Sequence, residues 1–317
     1  MTASSAAATT SLPRTPRASR LQLAFVVIYV VWGVTPAVNR IMVLQLPPLL
    51  AAGARFALAG IFLTALARAR GLALPKGAEE WRSLAVSAVL GIVISNGLSV
   101  MALQHIASNQ AALINSSCAF WLAWIGMYGR RAAPVSNRTW AGLAVGFAGV
   151  AVLLSARGLG ADAQVGWQLA VLGSALAWAL ATAVIREAHS ATDPLAFTAC
   201  YLLCGGVLLA VLGLAGGEAP RWSWSPSGLA AIAFLAIFSS TFGFVAYTYL
   251  LMHETPSRIG TYAYVNPPVA VVTGWLLLGE RLDALQLAGS AIVFVGVVLV
   301  RNLRLWPRRS GARGHPG

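Results

Sequence analysis

Long apolar runs, separated by short gaps that carry charged residues, follow one another along almost the whole chain. A helix that crosses the hydrocarbon core of a bilayer needs roughly 20 predominantly apolar residues. Most of the runs have that length, and the gaps are too short for a separate soluble domain. The pattern predicts ten membrane-spanning helices, over residues 21–39, 48–67, 83–103, 108–128, 139–155, 167–185, 194–214, 228–250, 258–278 and 285–301.

The composition favours lipid rather than water as the solvent around these helices. Apolar residues make up 58% of the 317 residues and charged residues only 10%, and the mean hydropathy is +0.74. Too few polar side chains are present to cover a water-facing surface. The expected fold class is therefore an all-α integral membrane protein.

The formal net charge of +13 is compatible with a nucleic-acid partner, because an excess of Lys and Arg is the footprint of phosphate binding. The positions of the charges argue against that partner. With a cytoplasmic N-terminus, the outer gaps carry only Arg40, Arg157, Arg221 and Arg281, Arg55 lies within a span, and the other basic residues fall in inner segments. This is the positive-inside bias of a membrane protein whose two termini are both cytoplasmic.

Segments of the first half of the chain recur in the second half in the same order. Residues 32–40 (WGVTPAVNR) correspond to residues 178–186 (WALATAVIR), with Trp and Arg at the same separation. Residues 142–149 (GLAVGFAG) correspond to residues 289–296 (GSAIVFVG). The chain therefore contains two copies of one five-helix unit. We place the copies at 21–155 and 167–303, with a linker at 156–166 and cytoplasmic tails at 1–20 and 304–317.

An odd number of helices per copy makes the second copy enter the membrane in the opposite sense. The copies then form a 5+5 inverted-topology repeat, related by a pseudo-two-fold axis in the membrane plane. Such a repeat lets one central cavity open alternately to either face of the membrane, which is the mechanism of carriers. The expected partners are a small-molecule substrate and the lipid bilayer.

Several short motifs, taken in order, resemble the EamA-type carriers of the drug/metabolite transporter superfamily. The motifs are Trp32-Gly33 in the first span, Pro48 with Arg55 and Phe56 in the second, Trp178-Ala179 in the sixth, and residues 266–281 (NPPVAVVTGWLLLGER) in the ninth. The resemblance implies that helices 1–4 and 6–9 line a central cavity while helices 5 and 10 lie to one side. It also implies a multi-pass protein of the bacterial inner membrane that exports amino acids or other small metabolites.

Two positions depart from the internal symmetry. The first-half counterpart of Gly279-Glu280-Arg281 is Gly129-Arg130-Arg131, and Pro267-Pro268 align with Ser117-Cys118. The two halves are therefore not expected to move as strictly symmetric units.

Pro267 and Pro268 lie in an apolar run that otherwise reads as helix, where each removes an amide donor and crowds the preceding turn. They fall near the middle of the ninth span. Carbonyl groups freed by proline are tolerated at that depth where they face protein or a water-filled cavity. We therefore expect a kinked helix that lines a hydrated site, and the alternative is a kink that only shapes helix packing.

Polar and aromatic residues in the middle of the spans are candidates for a substrate-binding cavity. Tyr262 and Asn266 share one face of the ninth span, and the repeat places Asn115 and Ser116 opposite that segment. The alternative for the two amides is a hydrogen bond between helices with no ligand role. Further candidates, for which ordinary packing is the alternative, are Trp32 and Trp178, which the repeat places face to face, and Asn96 and Tyr247.

Arg55 lies roughly 10 Å inside the second span, two helical turns from Pro48. An arginine at that depth is costly unless it is paired or faces protein or water. It would bind a substrate carboxylate or hold carbonyl groups at the end of a neighbouring helix. The sequence slightly favours the second, structural role.

All acidic residues fall in predicted gaps or at span ends. Proton pumps commonly place a carboxylate or a histidine within the membrane. We therefore expect transport that is uncoupled or weakly coupled, of a substrate that is not strongly cationic. Neither the histidines nor Cys118, Cys200 and Cys204 show ligand spacing, so no disulfide framework, metal site or cofactor is expected.

Three other hypotheses remain beside the metabolite carrier. A multidrug or toxic-compound efflux carrier is the alternative of the same class. An intramembrane enzyme would need a nucleophile and base or metal ligands within the spans, and a non-transporting scaffold would need larger soluble segments.

Small residues allow helices to approach closely, and here they are Gly142, Gly146, Gly149, Gly289 and Gly296. They would serve packing inside the chain, which is favoured, or a homodimer.

Overall fold

The computed structural model describes residues 16–125, 127, 137–155, 162–187, 192–254, 259 and 262–301, and within these ranges the chain is helical and contains no β-strand. The first half contains α1 (Pro16–Gln45), α2 (Pro48–Ala69), α3 (Ala78–Ala102), α4 (Ser108–Asn115), α5 (Cys118–Ile125) and α6 (Asn137–Ser155). The second half contains α7 (Asp162–Glu187), α8 (Pro194–Ala215), a 3-10 turn (Ala219–Arg221), α9 (Pro226–His253), α10 (Tyr262–Leu278) and α11 (Ala284–Arg301).

Helix covers most of the described part of each predicted span, and the predicted break near Gln104 is the turn between α3 and α4. The fourth span holds two helices, α4 and α5, separated by a turn at Ser116-Ser117. The predicted end of the first span at residue 39 was wrong, because α1 continues to Gln45. Asn39 does not mark a polar boundary, since it is buried against the side chain of Arg55. The predicted tail at 304–317 and most of that at 1–20 lie outside the described residues.

Six helices in the described part of the chain are long and apolar enough to cross a membrane. They are Ser19–Gln45, Pro48–Ala69, Ala78–Ala102, Gln164–Glu187, Pro194–Ala215 and Pro226–His253. Shorter apolar helices lie at Trp140–Val152, Val265–Leu278 and Ala284–Gly296. Large apolar side chains such as Leu23, Ile61 and Trp275 are more than half exposed on the outside of the bundle, which suits contact with lipid.

Glycines bring α2 and α8 into close contact. A Cβ atom added at Gly53 would lie 2.5 Å from the backbone nitrogen of Ala210, and one added at Gly60 would lie 2.5 Å from that of Leu203. Only a residue without a side chain allows backbones to approach so closely. The contacts run in opposite order along the two helices, so α2 and α8 are antiparallel.

The glycines predicted for close packing bring α6 and α11 together in the same way. A Cβ atom at Gly149 would lie 2.5 Å from the backbone nitrogen of Val293, and Gly296 lies against the backbone of Gly146. These two helices are therefore also antiparallel. Because the glycines are used inside the chain, they provide no support for a homodimer.

The other long helices surround an interior space. α1 packs beside α9 and α10, and α7 packs beside α3, α4 and α5. A π-helical turn interrupts α3 at Val89–Asn96 and α9 at Leu235–Gly243. The correspondence that aligns Trp32 with Trp178 also aligns these two turns, so each copy carries the same local widening. Such π-bulges are frequent at functional sites.

Candidate binding cavity

An interior cavity of about 130 Å³ lies between the two halves of the chain. Helices α1 to α4 contribute to its wall from the first half, and α7, α9 and α10 contribute from the second half. The wall combines four asparagine amides, at residues 39, 96, 115 and 266, with several hydroxyl groups and aromatic rings. Polar groups that converge on one cavity beside apolar and aromatic ones are typical of a small-molecule site, and this wall is rich in them.

Most of the cavity residues predicted from the sequence lie in this one wall. They are Trp32, Arg55, Asn96, Asn115, Trp178, Tyr262 and Asn266. They come from six different helices, so the fold brings together residues that are far apart in the chain.

Ser116 and Tyr247, the other two candidates, lie elsewhere. Ser116 is buried, and its hydroxyl donates to the carbonyl oxygen of Leu113 at 2.6 Å, because the turn between α4 and α5 directs it away from the cavity. The Tyr247 hydroxyl lies 2.8 Å from Thr182 Oγ1, in a narrow neighbouring space. Tyr247 therefore packs behind the wall rather than forming it.

The prolines predicted to kink the ninth span lie inside α10 but are not lining residues. Pro267 is buried and Pro268 is exposed on the outside of the bundle. The preceding Asn266 does line the cavity. With its nitrogen facing the backbone, its amide donates to the carbonyl oxygens of Tyr29 at 3.2 Å and of Tyr262 at 3.3 Å. Its oxygen is thereby left for other partners.

Asn115 differs from Asn266 in having a free amide. Its side chain is exposed to the cavity, and it has no side-chain hydrogen bond within the described part of the protein. The repeat predicted that this segment and the one around Asn266 face each other. Both amides do reach the same cavity, one from each half of the chain.

The sequence analysis did not identify several residues that line the cavity, namely Asn39, Ser95, Ser174 and Ser239. Ser174 Oγ donates to the carbonyl oxygen of Ser95 at 2.8 Å, and Thr35 Oγ1 donates to Ser239 Oγ at 3.0 Å. All are polar residues inside or at the edge of apolar runs, a signal that the sequence offers but that they share with polar residues outside the wall, such as Ser87 and Thr198. Ser95 and Ser239 lie in the two π-helical turns, which the sequence did not indicate.

Aromatic rings close one side of the cavity around Trp32. Its ring centroid lies 5.6 Å from that of Trp178, in an edge-on arrangement, and 5.4 Å from that of Phe244. Trp32 Nε1 donates to the carbonyl oxygen of Ser239 at 3.3 Å. Edge-to-face pairs of this kind are favourable for aromatic rings. The two tryptophans related by the repeat are therefore in direct contact.

Arg55 is only 1% exposed, and its side chain is held by two asparagines. Nη1 donates to Asn39 Oδ1 at 2.9 Å, and Nη2 donates to Asn96 Oδ1 at 3.3 Å. Asn96 is itself fixed, since its Nδ2 donates to the carbonyl oxygen of Gly91 at 2.7 Å. These contacts are made with side-chain amides and not with carbonyls at a helix end.

Two matches to the EamA-like transporter family cover residues 20–155 and 165–302. The chain belongs to this family. A relative from Escherichia coli K12, named the uncharacterized inner membrane transporter YedA, is 33% identical over 89% of this chain and 91% of its own length. The uncharacterized transporter YvbV of Bacillus subtilis is 31% identical over 92% of this chain and 93% of its own length.

Two more distant similarities add detail. A Streptantibioticus cattleyicolor protein named a probable terminal-alkyne amino-acid exporter is 29% identical over 55% of this chain and 59% of its own length. A solved structure titled "Crystal structure of protein" superposes with a TM-score of 0.68 over 90% of this chain and 99% of that one, at 18% identity, which establishes a shared fold.

As an EamA-like transporter, the chain is a multi-pass membrane protein with a small-molecule substrate. Family membership argues against an enzyme and accords with the position of the cavity between the two matched segments. In this EamA-like transporter, residues of both matched segments form the cavity wall.

Proposed function

We propose that this EamA-like transporter exports a small metabolite of amino-acid size across the bacterial inner membrane by alternating access. In this proposal the chain crosses the membrane ten times as a 5+5 inverted repeat, with both termini cytoplasmic and with α4 and α5 together forming the fourth crossing. The observation that carries the proposal is the polar cavity whose wall is built by helices from both halves.

Helix directions support the inverted repeat. With ten alternating crossings, the second (α2) and the seventh (α8) run in opposite directions, as observed. The same holds for the fifth (α6) and the tenth (α11). The same scheme makes the first and ninth crossings, α1 and α10, parallel. Tyr29 contacts Asn266 and Gly33 contacts Val269, so the contacts of α1 and α10 run in the same order.

The arrangement of apolar groups supports alternating access. On the side of the cavity toward the N-terminus of α1, a core of Ile28, Leu250, Leu251 and Ile259 packs behind the aromatic rings. With the N-terminus in the cytoplasm, this core closes the cytoplasmic side. Opening to the cytoplasm then requires α1 and α9 to separate there, and the repeat supplies a symmetry-related movement of the other half.

The nature of the cargo rests on the cavity and on one relative. A wall with four amides suits a polar molecule, and the relative from Streptantibioticus is named an amino-acid exporter. The alternative within the same class is efflux of toxic aromatic compounds, which the rings of Trp32, Trp178 and Phe244 favour. A membrane scaffold would have no use for a polar cavity between its two halves.

Counterflow in reconstituted vesicles tests the proposal. Vesicles loaded with single unlabelled amino acids should accumulate the same labelled amino acid in a saturable way for at least one of them. Asn115→Ala and Asn266→Ala should each reduce the initial rate about tenfold, as expected for losing one polar contact in a desolvated site. Asn137→Ala, at the exposed start of α6, is the matched control and should leave the rate unchanged.

Two outcomes of this experiment decide against the proposal. If no amino acid shows saturable exchange but aromatic toxic compounds do, the multidrug function replaces metabolite export. If neither class exchanges, the protein is not a carrier of this type and the scaffold hypothesis is favoured.

Labelling from one side of the membrane tests the topology separately. In a chain with Cys118, Cys200 and Cys204 replaced by Ala, a membrane-impermeant maleimide added to whole cells should label Trp224→Cys and spare Lys76→Cys. Both sites are exposed. Labelling of both from the same side would rule out the inverted repeat.

A further inference from the structure

The cavity contains one buried cation. Arg55 uses one N–H of Nη1 and one of Nη2 to contact Asn39 and Asn96, and Nε has no hydrogen-bond partner within the described residues. A guanidinium carries five N–H donors, so three remain unused. A donor buried without a partner is costly, and the arrangement therefore calls for an acceptor that the described part of the chain does not provide.

No carboxylate neutralises this charge in the described structure. The ion pairs of Arg40 with Glu280 and of Arg221 with Glu218 lie away from the cavity, and no Asp or Glu side chain contributes to the described wall. Both partners of Arg55 are neutral amides that present their oxygens to it. A buried charge in a membrane protein is normally paired, or faces a hydrated cavity that serves an ion or a substrate.

The two asparagines fix the guanidinium rather than neutralise it. Asn39 lies in α1 and Asn96 in the π-helical turn of α3, so Arg55 of α2 is held from two sides. Arg55 Cζ lies 4.1 Å from the centroid of the Phe56 ring, whose face covers the guanidinium further. A planar, pre-oriented guanidinium with free donors is the group best suited to binding a carboxylate through paired hydrogen bonds.

We propose that Arg55 binds the carboxylate of the transported molecule, so that the substrate class is small carboxylic acids with an apolar or aromatic remainder, amino acids included. The proposal rests on the carrier function argued above. The aromatic rings of Trp32, Trp178, Phe244 and Tyr262 in the same wall accommodate the remainder. Because no acidic side chain in the described wall can pair with an ammonium group, the carboxylate is required and the amino group is not.

Matched sets of compounds test the requirement directly in the wild-type protein. The probes are L-leucine, L-methionine and L-phenylalanine, each compared with its carboxamide, its decarboxylated amine and its deaminated acid. Thermal stabilisation of the purified transporter and competition in counterflow are measured for each. The amino acid and the deaminated acid of at least one set should bind at least ten times more tightly than the carboxamide and the amine.

Variants of Arg55 show whether this residue gives the preference for a carboxylate. Arg55→Gln should remove the preference for acid over amide by at least tenfold, and Arg55→Lys should keep part of it. Asn39→Asp is nearly isosteric and places a permanent carboxylate on Arg55, so it should also abolish the preference. Arg221→Gln, at a surface arginine, is the control and should retain it.

The outcomes separate this inference from the transport function. Saturable exchange with equal competition by acids, amides and amines overturns the inference and leaves the carrier function standing. The same holds if Asn39→Asp or a folded Arg55→Gln protein keeps the wild-type preference. If no compound of any set exchanges or stabilises the wild-type protein, both the inference and the proposed cargo are wrong.

Discussion

Glu280 follows α10 and reaches the N-terminus of α4, where its Oε1 accepts a hydrogen bond from the backbone nitrogen of Ser108 at 2.7 Å. Its Oε2 accepts from Ser108 Oγ at 2.8 Å and from the backbone nitrogen of Asn109 at 3.0 Å. Arg40 Nε, near the end of α1, lies 3.4 Å from the same carboxylate. The unpaired N–H groups and positive dipole at a helix N-terminus favour a carboxylate there. One side chain therefore links the ends of three helices.

Replacing Glu280 by Gln is expected to lower the free energy of unfolding by roughly 2–3 kcal/mol, because hydrogen bonds to a charged group are among the stronger ones. The amide has only one accepting oxygen, and Arg40 loses its partner. Thermal unfolding in detergent micelles measures the change. Glu79→Gln, at an exposed carboxylate in the first turn of α3, is the matched control. Equal shifts for the two variants would contradict the linking role of Glu280.

A second carboxylate, Glu218, caps α2 from the turn after α8. Its contribution to stability can be measured separately from that of Arg221, with which it forms an ion pair. Its Oε2 accepts from the backbone nitrogen of Leu50 at 2.7 Å, while Arg221 Nη2 lies 3.6 Å from Oε1 and is 60% exposed. Exposed ion pairs contribute little, so Arg221→Gln should change stability by less than about 1 kcal/mol. Glu218→Gln should cost roughly 2 kcal/mol, since the charged acceptor is lost and the neutral amide has only one accepting oxygen for the part-buried N–H groups of Leu49 and Leu50. The same unfolding assay measures both, and a larger effect at Arg221 would refute the capping role.

The close contact of α2 with α8 predicts the effect of adding one methyl group. Gly53→Ala should destabilise the protein by about 1–3 kcal/mol, because the new Cβ meets the backbone of Ala210 and cannot be relieved by a side-chain rotation. Gly166→Ala in α7 is the control, since nothing lies within 4 Å of its added Cβ. There the substitution should be neutral or slightly stabilising. Circular dichroism melting would show whether the two changes differ in sign.

The internal repeat made much of this site predictable from the sequence. Mid-span Trp32 and Trp178 carry a strong signal because aromatic residues otherwise concentrate at membrane interfaces, and they lie in contact. The Asn115 and Asn266 segments also reach one cavity, since α4 and α10, which carry them, pack against each other beside it.

Local departures from regular helix account for what the sequence did not reveal. Ser116 was expected in the cavity on a continuous helical face, but the turn at Ser116-Ser117 breaks that face. The predicted first span ended at residue 39, whereas Asn39 lies inside α1 and its side chain accepts a hydrogen bond from Arg55. Arg55 pairs with Asn39 and Asn96 because α1 and α3 carry amides at the same depth in the membrane as its guanidinium. That depth is a tertiary property that one span does not encode.

The aromatic side of the cavity is expected to determine how well the substrate binds. Trp178→Ala removes a ring that lies against Trp32 and faces the cavity, so the concentration for half-maximal counterflow should rise about tenfold through the loss of one or two aromatic contacts. Trp178→Phe should recover part of this loss. Trp224→Ala, at a tryptophan that is 78% exposed, is the control. A wild-type concentration dependence in Trp178→Ala would show that the ring only fills space.

Transport should not be driven by a proton gradient. The cavity wall in the described residues contains no Asp, Glu or His, so nothing there changes charge near neutral pH, and Arg55 stays protonated in that range. Vesicles holding a radiolabelled amino acid should therefore equilibrate it at the same final level with and without an imposed pH difference. Changing the pH equally on both sides should leave the initial rate nearly constant. Net accumulation that follows the gradient, and that collapses when an ionophore is added, would establish coupling to protons and place the titrating group outside the described wall.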